Sequence, residues 1–89
     1  MFFSKIYGLW REDKYIFINA EYGSIKFHIN EIGNIQILDR TGLVRTADDL
    51  PVRNAKIHFL LKSGRSKTCY VRKLTRRRYK YLQSLLDAE

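Results

Sequence analysis

Three consecutive guanidiniums, Arg76-Arg77-Arg78, directly follow Thr75, a residue type that favours the first cap of a helix. If Thr75 caps a helix, the three arginines occupy its first turn, where the backbone dipole is already positive. Each cation placed there costs about 0.3–1 kcal/mol, and the three also repel one another. A sequence chosen for stability alone would carry acids at these positions. The chemistry that suits them is oxyanion binding, because guanidinium forks and the free N–H groups of a helix start converge on the same oxygens. Arg72 and Lys73 just upstream and Lys80 one turn on extend the cationic cluster. The competing reading is a solvated charge run, paired with Asp48 and Asp49 of the preceding loop.

A second candidate surface is the outer side of a hairpin. Ala55, Ile57, Phe59 and Leu61 alternate, a turn follows at Ser63-Gly64-Arg65, and Cys69 and Val71 resume the alternation. A three-residue loop there places Phe59 opposite Cys69 and Ile57 opposite Val71, so apolar side chains face one another. Gly64 is not at the usual third position of such a loop, which leaves a longer turn open. The opposite face then pairs Lys56 with Arg72 and His58 with Tyr70, with Lys67 nearby. Cations that follow phosphates and an aromatic ring that stacks on bases suit nucleic acid. An ordinary solvated strand face accounts for the same residues.

Other chemistry finds little support. His28, His58 and Cys69 are the soft ligands, and their spacing matches no zinc pattern, so no metal or other cofactor is expected. Cys69 falls on the core face, where a thiol packs as a small apolar group. Glu12-Asp13 and Asp48-Asp49 are adjacent pairs, which mark turns and caps rather than carboxylates converging on one bond. There is no glycine-rich phosphate loop and no nucleophile elbow. The expected class is a binding module, not an enzyme.

The elements that must position these residues read as a single α+β domain over 1–89, a mostly antiparallel sheet or partly open barrel with one C-terminal helix. Strands are expected at about 2–10, 14–19, 24–29, 34–39, 54–62 and 66–73, and a helix at about 75–87. Ile25, Phe27 and Ile29 lie on one face of their strand and Ser24, Lys26 and His28 on the other. Thr41 to Arg53 is irregular and contains the only proline, Pro51. A loop that long either carries a short strand around Leu43 to Arg45 or contributes to function. Tyr79, Leu82, Leu85 and Leu86 form the apolar stripe that docks the helix.

Charge bounds the partners. The chain has 17 Lys+Arg against 9 Asp+Glu, a formal net charge of +8, which attracts polyanions through long-range field and counterion release. Lys5 and Arg11 interrupt the apolar N-terminus before a signal-peptide core forms, and no apolar run approaches the roughly 20 residues of a membrane span. With one cysteine, no intrachain disulfide is possible. These features point to a soluble, cytoplasmic protein without integral membrane association.

The order of short strands closing in the hairpin Lys56 to Arg72 and the helix Thr75 to Leu86 resembles a bacterial pleckstrin-homology-like domain. Ile25-Lys26-Phe27-His28-Ile29-Asn30-Glu31-Ile32, followed by Ile35-Gln36-Ile37, is similar to the first strands of those domains and of the LytTR DNA-binding family. The first resemblance implies protein or lipid partners and the second DNA. Charge placement favours nucleic acid at the junction Arg72 to Arg78. An inhibitor or assembly factor docking its basic face on an acidic protein is the alternative, and an anionic membrane surface ranks last.

Overall fold

The structure, a computed structural model, describes residues 3–87. The first three strands, β1 (Ile6–Glu12), β2 (Tyr15–Ala20) and β3 (Gly23–His28), form an antiparallel meander in the order β1-β2-β3. A 3-10 turn at Ile29–Glu31, capped by His28 Nδ1 accepting the Asn30 N–H at 3.0 Å, leads into the second sheet. Its strands are β4 (Ile32–Leu38), β5 (Val44–Arg45), β6 (Val52–Leu61) and β7 (Ser66–Leu74), ordered β5-β4-β6-β7 and again antiparallel. The chain ends in α1 (Arg76–Asp87). The class is α+β, two open antiparallel sheets and one C-terminal helix.

Strand alternation builds the core. Ile16, Ile18 and Phe27 of the first sheet meet Ile37, Ala55, Ile57, Phe59, Cys69 and Val71 of the second. Phe27 and Phe59 join the layers, with ring centroids 4.7 Å apart. Leu82 of α1 is buried and Tyr79, Leu85 and Leu86 pack around it, so the helical stripe closes the core. The Arg11 guanidinium donates to the Leu85 carbonyl at 2.9 Å, satisfying an acceptor in the last turn of the helix.

Three expectations change. The first strand starts later than expected: Ser4 bridges in parallel to Val71 instead, its N–H donating to the Tyr70 carbonyl and its carbonyl accepting the Arg72 N–H. Backbone hydrogen bonding to β7 therefore takes the segment before Ile6 away from β2 and ties the two sheets together. Residue 2, assigned to that strand from the sequence, lies outside the described residues.

The hairpin register also differs by two residues. The turn is Lys62-Ser63-Gly64, with the Leu61 N–H bonded to the Arg65 carbonyl at 2.8 Å. Gly64 takes the third position at φ +90°, a conformation that costs a Cβ-bearing residue about 1–2 kcal/mol. Consequently Ile57 faces Cys69, Ala55 faces Val71 and Phe59 faces Lys67, while Lys56 faces Tyr70 and His58 faces Thr68. A shift of two keeps every side chain on its expected side, so alternation alone could not detect it.

The stretch 41–53 is ordered by local hydrogen bonds. It holds β5, a 3-10 turn at Ala47–Asp49 and the buried Leu50, which precedes a cis peptide bond to Pro51. Thr46 and Asp49 form a reciprocal cap, and the Thr46 N–H holds the Asp49 carboxyl below its ordinary value. Asp39 organises the β4–β5 turn. Its carboxylate accepts the Thr41 hydroxyl, the Thr41 and Leu43 N–H groups and the Arg45 guanidinium. The Thr41 hydroxyl is the largest cause that lowers its pKa from 3.8 to about 2, opposed by desolvation and helped by Leu43 and Arg45.

A folded-state pKa below the unfolded one gives stability that is present above about pH 4 and disappears as pH falls toward 2. Urea midpoints measured across that interval should therefore fall in the native chain, and Asp39→Asn should flatten the decline. A variant with the native pH profile would show that the Asp39 bonds do not couple to folding.

Candidate nucleic-acid interface

Arg76, Arg77 and Arg78 are the first three residues of α1. Thr75 caps it: its Oγ1 accepts the Arg78 N–H at 3.2 Å and its carbonyl accepts the Tyr79 N–H at 3.0 Å. The cap leaves the N–H groups of Arg76 and Arg77 directed out of the helix start. Among the described residues the ion pairs are Arg45 with Asp39 and Arg72 with Glu21, so no carboxylate neutralises the triplet.

The expected pairing with the 41–53 loop takes another form. Arg76 donates to the Asp48 carbonyl at 3.3 Å, and the Asp49 carboxylate is engaged by Thr46. Arg78 donates to the Ile6 carbonyl at 3.4 Å. Hydrogen bonds to neutral carbonyls orient two guanidiniums without cancelling their charge.

Arg78 lines two adjoining clefts. One is shared with Lys5, Ile6, Val71, Arg72 and Lys73, between the segment before β1 and the end of β7. The other is shared with Thr75, Arg77 and Tyr81 on the first turns of the helix. Arg72 is the partly neutralised member, held at 3.0 Å by Glu21, whose carboxylate also accepts the Lys5 N–H. Lys80 is exposed on the helix but lines neither cleft. The arrangement can hold an extended anion across Lys5, Lys73, Arg77 and Arg78.

The outer hairpin surface is less well assembled. Lys56, His58, Tyr70 and Arg72 share the face turned away from the core, but Lys56 lies opposite Tyr70, not Arg72. The like-charge pair expected from the sequence is therefore absent. The Tyr70 ring is met edge-on by Phe3, with centroids 5.9 Å apart. Lys67 must be reassigned: it lies opposite Phe59 on the core-directed side, and its ammonium donates to the Lys26 carbonyl at 2.7 Å. That bond links the edges of β3 and β7, so Lys67 acts as a tie between sheets.

Lys5 and Tyr81 were not among the sequence candidates. Tyr81 was accessible, four residues after Arg77 and so on the same helical face. Lys5 was not, because it reaches the cluster through the Ser4–Val71 bridge. Cys69 is buried, and desolvation pushes its thiol up to about 11, away from nucleophilic chemistry. Among the described residues no group of three or more His, Cys, Asp or Glu side chains is placed to hold a metal ion, and no helix is long and apolar enough to cross a membrane. No protein-family model, curated protein or solved structure matches the chain.

Proposed function

We propose that the chain is a nucleic-acid-binding module that grips phosphates where β7 passes into α1. The observation that carries this reading is the Arg76-Arg77-Arg78 triplet at a helix start, oriented by carbonyls and unpaired with any described carboxylate. A bound polyanion supplies the compensation that the fold does not. Lys5 and Lys73 widen the cationic surface, and the net charge of +8 steers anions toward it. Of the two family likenesses, the reading sides with the DNA partner of LytTR domains, and it does so on charge placement.

Fluorescence anisotropy of labelled DNA and RNA oligonucleotides, titrated between about 50 and 200 mM salt, tests it. Affinity should fall steeply and linearly on logarithmic axes, by about 0.7–0.9 in slope for each phosphate contacted. No binding at the low-salt end would overturn the proposal. So would recovery of a single acidic protein after nuclease treatment together with a flat salt response.

A further inference from the structure

The outer face of β1-β2-β3 is not the polar surface expected of a solvated antiparallel sheet. Directly paired residues share a face, and one row across the three strands reads Trp10, Phe17, Lys26. The next reads Glu12, Tyr15, His28. Trp10 and Phe17 stack with centroids 5.3 Å apart and planes 7° from parallel. The Lys26 ammonium sits 4.6 Å from the Tyr15 centroid and 5.5 Å from that of Phe17. Tyr15 meets His28 edge to face at 5.0 Å.

Nothing in the described chain lies over these rings. The helix packs on the opposite side of the sheet, where Arg11 reaches Leu85, and Trp10 and Tyr15 remain 38% and 39% exposed. Gly8 makes the indole's position possible, since a Cβ there would lie 2.9 Å from Trp10 Cζ3. The strand thus gives up a side chain to seat an exposed indole.

We infer that this face is a stacking surface for unpaired bases, so that the nucleic acid bound at the cationic junction is single-stranded. The inference rests on the reading above and adds the substrate class. Aromatic rings accept any base by stacking, but only where the base is not already stacked in a duplex. A lysine set among the rings favours a ligand carrying negative charge beside its flat apolar groups, which describes a nucleotide better than an apolar protein surface. Strand β1 also connects the two regions: Ile6, whose carbonyl receives Arg78, lies four residues, about 13 Å, from Trp10. One strand of nucleic acid can place phosphates at the junction and bases on the rings.

Trp10 is the only tryptophan, so its emission reports on this face in the native chain. The full chain is titrated with an oligothymidylate of about 10 nucleotides, within the roughly 4–16 that comparable folds occupy, and with a duplex of equal length. The single strand should quench Trp10 and the duplex should not. Tyr15→Ala, on an exposed position outside the core, should weaken single-strand binding about 5- to 150-fold.

Salt-dependent binding by anisotropy, with unchanged Trp10 emission and native affinity in Tyr15→Ala, would overturn the stacking surface and leave the junction reading intact. Equal quenching by the duplex would overturn the single-strand assignment. Emission that shifts with protein concentration alone would mean that a second copy covers the face, which also overturns it. Absence of any oligonucleotide binding would defeat both proposals.

Discussion

Replacing Arg76, Arg77 and Arg78 together by alanine is expected to cut nucleic-acid affinity near 0.1 M salt by about 10²–10³-fold while leaving the fold close to its native stability. The first effect follows from counterion release: three lost phosphate contacts lower the salt slope by about 2–3. The second follows from two terms that oppose each other. Removing each cation from the electropositive end of α1 gains about 0.3–1 kcal/mol. Losing the Arg76–Asp48 and Arg78–Ile6 hydrogen bonds costs about 0.5–1.5 kcal/mol each, less where water replaces them. Arg65→Ala, in the hairpin turn at the other end of β7, is the matched control and should leave the slope nearly unchanged. A triple variant that binds like the native chain, or one that unfolds while Arg65→Ala does not, would show that the triplet serves the fold.

The parts of the fold set by local periodicity were readable before any coordinates. Ile25 and Phe27 alternate with Ser24 and Lys26, and the structure buries the first pair while leaving the second in water. The stripe of Tyr79, Leu82, Leu85 and Leu86 specifies a docked helix in the same way. What escaped depends on pairings between distant residues. The Ser4–Val71 bridge joins backbone groups and leaves no trace in side-chain pattern. The hairpin register hinged on which residue opens the loop, and alternation is blind to a shift of two.

The aromatic face was hidden for a different reason. Tyr15-Ile16-Phe17-Ile18 is apolar at every position, so its alternation carries no polarity signal and gives no indication that Tyr15 and Phe17 point outward. At the junction, composition and the cap at Thr75 were enough to locate the arginines in the first turn. Their partners were not legible, because Asp48 contributes its carbonyl and not the carboxylate that makes it conspicuous in the sequence.

Leu82→Ala should be among the most destabilising single changes in the helix, and it tests whether the junction and the core are one cooperative unit. Leu82 is the buried residue of α1, 1% exposed, in a cluster that includes side chains from both sheets. Truncating a leucine in such a site costs about 2–5 kcal/mol, from lost transfer energy and the cavity left behind. A domain of this size has about 5–15 kcal/mol in total. The melting temperature should accordingly drop by roughly 10–30 °C, at about 4–8 °C per kcal/mol. Below its lowered midpoint the variant should keep the native salt slope, because Thr75 and the end of β7 still place the arginines. Above it, binding and sheet structure should vanish together. A melt in two steps, with loss of helix and oligonucleotide binding while the near-ultraviolet signal of the aromatic sheet persists, would show α1 to be a separable appendage; the cationic clefts would then owe their shape to the helix alone.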